Sequence, residues 1–318
     1  MRLREISPQV YARDVLPLTA PLWAGSRSFD AYAAQTLELA LGAYGRRHYR
    51  TLGLYDGRTL VASFKRYERT VRRETQSLRA VGFGAVFTPE EYRGRGYASV
   101  MLATALDTAR ADGCDIAFLF SDIRPQFYAA LGFATLPSRR FLLRADTLPS
   151  LRLQLGHLRD ADWPRVARVY ERWDRNRTAG FARSAAVWSW IATRMRQRAA
   201  HPTWQPANLL VRRGGRVIAY VFGMRAPRLD AYLLDEFAFA DAASAAAIPA
   251  LLRAAAGDLQ RVTGWLPPAG AREVMPKVTV RRRNDAVFMI APLSAAGRAL
   301  LRDTTAHGGD FCWATDHI

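Results

Sequence analysis

Lysine is nearly missing from this chain. Lys65 and Lys277 stand against 46 Lys+Arg in total, so almost all the positive charge is arginine. Cysteine is as rare. Cys114 and Cys312 are the only two in 318 residues, which excludes a disulfide framework and a cysteine-based zinc spacing. A reduced, cytoplasmic setting is the expectation. No apolar run approaches the ~20 residues of a membrane span, so no membrane partner is expected. The opening Met1-Arg-Leu-Arg-Glu-Ile lacks the apolar centre of a signal peptide. His48, His157, His201 and His307 are scattered without ligand spacing, so no metal is expected.

Acidic residues are also few. Against 28 Asp+Glu the net charge is +18, and the pI is near 10.8. Such a balance raises the question of a nucleic-acid surface. The scarcity of lysine and the abundance of alanine read instead as a coding bias. The densest basic patches, Arg69–Arg73 and Arg281–Arg283, fall in strand-like segments with few interleaved aromatics. A nucleic-acid partner is therefore not expected. Half of the residues are hydrophobic (50%), enough for sizeable cores. At ~150 residues per domain the length implies about two domains.

What is present is Arg93-Gly-Arg-Gly-Tyr-Ala98. It follows a β-like run, Leu78–Phe87, and a break at Thr88-Pro89. It opens a helix-like run, Tyr97–Ala111, with apolar residues at Val100, Met101, Ala105 and Leu106. A strand, a Gly-rich turn and a helix start together aim free N–H groups and the positive end of the helix dipole at one point. That is a cradle for a diphosphate. A Walker loop needs G-K-S/T, and no lysine is near. The dinucleotide fingerprint G-x-G-x-x-G fails at Ser99.

Ala85-Val-Phe-Thr-Pro-Glu-Glu-Tyr-Arg-Gly-Arg-Gly-Tyr-Ala98 resembles the acetyl-CoA signature R-x-x-G-x-G/A of GCN5-related N-acetyltransferases (GNAT). Arg93, Gly96 and Ala98 fill its defined positions. After an apolar strand, Ile116–Phe120, comes Ser121-Asp-Ile-Arg-Pro-Gln-Phe-Tyr128-Ala-Ala-Leu-Gly132-Phe133. Its Y-x-x-x-G-F ending resembles the closing motif of the same family. The resemblance implies acetyl-CoA as co-substrate and an amine as acceptor. The backbone N–H groups of Arg93, Gly94, Arg95, Gly96, Tyr97, Ala98 and Ser99 would hold the diphosphate, with Arg95 as a charge partner. Ala85, Val86 and Phe87 would pair with the pantetheine arm. Ser121 and Asp122 would be splayed opposite. The Phe87 N–H would donate to the thioester carbonyl, and Tyr128 would protonate the leaving thiolate.

The chain reads as two similar halves. Hairpin turns at Asp56–Gly57 and Gly214–Gly215 precede comparable strand–helix–strand orders. The predicted fold class is α+β: two tandem GNAT-like domains, each a mixed, mostly antiparallel central sheet flanked by helices, the second degenerate. Residues 1–146 form the expected catalytic domain with the acetyl-CoA site. Residues 147–318 form the degenerate one with a C-terminal tail. At the second cradle the chain reads Asp241-Ala-Ala-Ser-Ala-Ala-Ala-Ile248, without glycine or arginine. This layout resembles the enhanced-intracellular-survival (Eis) branch, as does Leu234-Asp-Glu-Phe-Ala-Phe-Ala-Asp241. The sequence stops at Ile318 without that branch's sterol-carrier-like domain. The stretch from Gly308 to Ile318 is aromatic and apolar. The Eis resemblance implies that the terminal carboxylate of Ile318 reaches the front active site. A last strand packed on its own domain is the alternative.

An amine must be neutral to attack, and the strand before the cradle carries no acid. The remaining base candidates are Ile318, Asp316, His317, Glu68 and Asp122. The expected function is acetyl-CoA-dependent N-acetyl transfer. The alternatives are a catalytically silent CoA-binding regulatory protein and a mycothiol-synthase-like transferase using another acyl donor. Self-association into a homo-oligomer stays open.

Overall fold

The computed structural model describes residues 1–200, 203–306 and 311–318. His201, His307 and residues 308–310 of the expected tail lie outside them. The first half supplies β1 (Arg2–Ile6), β2 (Tyr49–Asp56), β3 (Thr59–Arg73), β4 (Gln76–Phe87), β5 (Ile116–Ser121), β6 (Ala134–Thr135) and β7 (Arg139–Arg144). The second supplies β8 (Leu155–His157), β9 (Ala179–Ala182), β10 (Gln205–Pro206), β11 (Leu209–Arg213), β12 (Arg216–Ala226), β13 (Ala231–Phe239), β14 (Arg261–Trp265), β15 (Thr279–Arg282) and β16 (Val287–Pro292).

Local chemistry explains the repeated core of each half. Gly214 and Gly215 both take positive φ, 54° and 74°, as a two-residue hairpin between Arg213 and Arg216 requires. In the first half β2, β3 and β4 are antiparallel, and β4 then runs parallel to β5. In the second half β11, β12 and β13 are antiparallel, and β13 runs parallel to β14. A helix bridges each parallel step, since parallel neighbours need a crossover. In the first half it is Tyr97–Ala111, which buries Met101, Leu102, Ala105, Leu106 and Ala109. In the second half two short helices make the crossover, Ala242–Ala245 and Ile248–Ala256. Pro249 has no N–H to continue the first ladder and sits comfortably in the first turn of the second helix.

The two sheets exchange strands. The first runs β1-β2-β3-β4-β5-β16-β6, with β9 beside β3. The second runs β15-β7-β14-β13-β12-β11-β8, with β10 beside β12. A boundary between residues 146 and 147 therefore does not separate the sheets. Arg139–Arg144, expected in the front domain, pairs with Arg261–Trp265. Val287–Pro292 pairs with Ile116–Ser121. The reason is burial on both faces. Val287, Met289 and Ala291 face the cluster under the Tyr97–Ala111 helix, while Phe288 and Ile290 face the opposite cluster. A strand apolar on both faces belongs inside a sheet.

Each face of the first sheet has its own core. One holds Val81, Phe83, Met101, Leu102 and Leu119 against the helix Tyr97–Ala111. The other holds Leu78, Ala80, Phe118, Phe181 and Phe311, with Ile318 packed against them. The end of the chain thus lies across the sheet from the cradle helix. No helix among the described residues is long and apolar enough to cross a membrane.

Candidate active site

The parallel ladder between β4 and β5 is short. It pairs Ala80 with Ile116, Val81 with Ala117 and Gly82 with Phe118, then ends. Beyond Gly82 the two strands part, leaving backbone groups of Phe83–Phe87 facing those of Leu119–Ser121. A bulge helps open this gap. The β3 register steps from Lys65↔Gly84 to Ser63↔Phe87, so Ala85 and Val86 oppose the single residue Phe64. Ala85 takes φ 46°, in the left-handed region. The stretch named from sequence for the pantetheine arm is this bulge.

The cradle follows. Gly94 and Gly96 adopt φ 76° and 78°. A Cβ at either would meet nothing within 4 Å, so the space over them is open. Gly96 is the N-cap of the helix Tyr97–Ala111 and offers no side-chain hydrogen bond. The Val100 N–H reaches the Gly96 carbonyl at 3.1 Å, and the N–H groups before it in this turn have no side-chain cap. Arg93 and Arg95 are exposed beside it. Arg93 Nε donates to the Thr88 carbonyl at 3.2 Å, and the Arg95 guanidinium lies 5.8 Å from the Tyr92 ring centroid. Open glycines, an uncapped helix start and two arginines fit a diphosphate. The second half closes the equivalent place. There the Asp241 carboxylate caps its helix, accepting from the Ser244 N–H at 2.8 Å.

Tyr128 lies on the short helix Pro125–Ala129, on the cradle-helix side of the sheet, against Phe127 and Phe133. Burial, with a smaller push from the Asp122 charge, raises its phenol above the usual value. Ser121 is buried and donates to the Ile123 carbonyl at 2.8 Å. Asp122 accepts from the Ala286 N–H at 2.8 Å, which ties it to the loop before β16.

On the opposite face runs the tail. Trp313 is buried between Trp173 and Phe237, with centroids 5.5 and 5.0 Å away. Asp316 receives Arg69 at 3.3 Å, Arg183 at 3.0 Å and the Trp313 N–H at 3.1 Å. Arg183 also pairs with Glu236 at 2.7 Å, and both of these side chains have no exposed surface. Thr315 donates to the same glutamate. Asp316 is thereby an anchor and not a free base. His317 lies between Phe120 and Trp265, at 4.9 and 5.8 Å. Burial, and then the charges of Arg194, Arg283 and Arg198, lower its pKa to about 3, so its imidazole is neutral at physiological pH. Ile318 packs on Gly82, at the last rung before the gap. Glu68 is turned to another cavity, with Arg66 and His48.

Lys65 on this face was not singled out from the sequence. Lys65 pairs in register with Gly84 and is only 9% exposed. Its ammonium lies 4.8 Å from the Tyr11 ring centroid and 5.4 Å from that of Tyr49. Burial lowers its pKa to about 8. Tyr67 lies against Gly84, and Tyr44, Tyr49 and Tyr67 surround Trp190 at 5.0, 5.4 and 6.0 Å. The available signal was a lysine alternating with Ser63 and Tyr67 along a strand.

Comparison with known proteins places this geometry. Residues 26–136 match the family described as Acetyltransferase (GNAT) domain. A Lysine acetyltransferase of Yarrowia lipolytica is 36% identical over 111 residues, 32% of this chain and 28% of that protein. The match thus spans little more than a quarter of that relative's length. Among solved structures, a GCN5-related N-acetyltransferase from Anabaena variabilis superposes with a TM-score of 0.72 at 13% identity, covering 93% of this chain and 74% of the other. Eis1 from Mycobacterium abscessus superposes with a TM-score of 0.62 at 13% identity, covering 92% and 73%.

Proposed function

Because the chain belongs to the GNAT superfamily, we propose that it transfers the acetyl group of acetyl-CoA to an amine, with one cofactor site per chain. The observation that carries this reading is the uncapped helix start at Gly96 beside the gap between β4 and β5. The N–H groups from Gly94 to Ser99 hold the diphosphate and Arg95 adds charge, whereas the Arg93 N–H, expected to join them, already donates to the Glu90 carbonyl at 3.1 Å. Ala85, Val86 and Phe87 hold the pantetheine amides on one lip, with Ser121 and Asp122 on the other. The Phe87 N–H donates to the thioester carbonyl, as an oxyanion donor does. Tyr128 gives its proton to the leaving thiolate, a step of modest cost between a phenol near pKa ~10 and a thiol near ~8.5.

The acceptor enters from the other face, past Tyr67, Lys65, His317 and Ile318. A lysine-like amine is only about one part in a few thousand neutral at pH 7, from a pKa of ~10.4. The charges of Lys65, Arg194 and Arg198 on this side disfavour an ammonium and so lower the pKa of an amine bound there. The neutral His317 ring accepts a hydrogen bond from it, and Ile318 closes the edge of the space.

The test is incubation with acetyl-CoA and a panel of amines, read by mass spectrometry as one added acetyl group and one released thiol. Acetyl-CoA binding without any acetylated product would favour a regulatory CoA-binding protein. A product only with another acyl-CoA would move the reading to a different donor.

A further inference from the structure

A second cavity, of about 450 Å³, lies at the other end of the first sheet. It opens on the free edge of β3, between the last rung with β2 (Tyr49↔Tyr67) and the first with β9 (Ala182↔Thr70). His48, Arg66, Glu68, Arg69, Arg79 and Arg183 line it, and Asp112, Asp316 and Glu236 pair with three of these arginines from outside the lining. It also includes Ala80, which is still paired with Ile116 in the parallel ladder, two residues before the gap opens beyond Gly82, and which lies about 23 Å along an extended strand from Phe87. None of its lining residues belongs to the gap or to the cradle.

The ion pairs here leave two arginine donors without an acceptor among the described residues. Arg66 meets Asp112 at 3.0 Å and Glu68 at 3.8 Å. Arg69 meets Asp316 at 3.3 Å. Yet the Nε donors of both Arg66 and Arg69 are buried with no hydrogen-bond partner among the described residues. The Arg69 side chain is only 2% exposed. A buried charged donor without an acceptor is costly, and an anion in the cavity would supply the acceptor. A third feature has the same sign. Ser184 and Val187, in the cap and first turn of the helix Ala185–Ala199, also line the cavity. Ser184 takes only the Val187 N–H, so the positive end of that helix adds to the field.

We infer that this cavity is a binding site for a small oxyanion, the phosphate or carboxylate group of a ligand distinct from acetyl-CoA. The inference does not depend on acetyl transfer, because it concerns binding alone. Arg69 and Arg183 hold Asp316 from the same cavity, so an occupant would share the guanidinium groups that anchor the tail.

The test is calorimetric titration of the full chain with inorganic phosphate and, separately, with succinate. The Gly96→Asp background keeps the cradle from contributing. One equivalent of either anion should bind with a Kd of about 1 mM or tighter. Saturation by phosphate alone or by succinate alone supports the site and names its source. Arg66→Gln and Arg79→Gln should each weaken binding about tenfold, the effect of one lost charge-assisted hydrogen bond, with the melting temperature held. No saturable binding of either anion in a chain that melts cooperatively overturns the inference. So does binding indifferent to both substitutions. Acetylation with intact acetyl-CoA site is scored apart, so failure here leaves the transferase reading standing.

Discussion

Ile318 rests on Gly82. A Cβ built on that glycine would lie 2.5 Å from Ile318 Cδ1 and 2.7 Å from Phe118 Cζ. Gly82 and Phe118 form the last rung of the parallel ladder, so the end of the described chain is seated where the two strands begin to part. A glycine is required here for close approach of the tail, not for an unusual φ. Tyr128 lies on the other face of the same sheet, so the proposed acid and the tail flank the gap from opposite sides.

Gly82→Ala should therefore act on the tail. Phe118 is fully buried and gives way poorly, while the Ile318 side chain can swing. Overpacking of this kind costs about 1–3 kcal/mol. The expected result is a lowered melting temperature and a raised KM for the acceptor, with acetyl-CoA affinity unchanged. If acetyl-CoA affinity falls instead, the contact supports the cofactor side and the face assignment is wrong.

Gly96 separates strain from electrostatics. At φ 78° an alanine is strained, by about 1–2 kcal/mol, yet its Cβ would enter open space. Gly96→Ala should lower stability and keep most acetyl-CoA binding. Gly96→Asp should abolish binding, because a carboxylate would face the diphosphate and compete for the helix N–H groups, as Asp241 does in the second half. Calorimetry on both variants decides this, and two equivalents of acetyl-CoA bound per wild-type chain would contradict the single site.

Much of this was legible in the sequence, for physical reasons. A Gly-x-Gly turn between a strand and a helix fixes its own geometry through φ, and the turn at Gly94–Gly96 and the helix from Tyr97 lie where the sequence put them. The Gly214–Gly215 hairpin was legible likewise. The strand exchange was not. Nothing local in Arg139–Arg144 or Val287–Pro292 says which sheet each will join, since pairing partners are chosen by tertiary burial. The apolar run Val-Phe-Met-Ile-Ala was a sign of a strand buried on both faces. The anchoring of Asp316 was also hidden, because Arg69 and Arg183 lie far from it in sequence.

Tyr128→Phe keeps the ring and removes the proton. Its kcat should fall by about 10²–10⁴, with acetyl-CoA affinity little changed. Burial raises the phenol, so it stays protonated through neutral pH. The alkaline loss of wild-type kcat should then lie above pH ~10 and be absent from the residual rate of the variant. A Phe variant with wild-type kcat across this range would make Tyr128 a packing residue.

Lys65 gives a prediction whose sign follows from linkage. Its folded pKa is lowered to about 8 from 10.5, because burial disfavours the ammonium and no carboxylate among the described residues pairs with it. Below pH 8 both folded and unfolded chains carry this proton, and the fold bears the cost of a buried charge. Between about pH 8 and 10 the unfolded chain binds more protons than the folded one at this site, so stability from Lys65 rises with pH. The buried tyrosines act oppositely above ~10, where the unfolded chain loses phenol protons that the fold keeps, so the window closes there. Lys65→Met removes the charge and keeps the stem packed between Tyr11 and Tyr49. At pH 7 it should be more stable than wild type, by at most about 3.5 kcal/mol, the size of a shift of that magnitude at ~1.4 kcal/mol per unit. The difference should shrink as pH rises toward 10, measured by denaturant unfolding at matched ionic strength. If Lys65 also sets the charge of the acceptor face, the same variant should lose acetylation at neutral pH despite its added stability, because an ammonium bound there would no longer be discouraged. A Met variant less stable than wild type at pH 7 would mean that the lysine is held by a favourable partner, and that its cation–aromatic contacts outweigh the cost of burial.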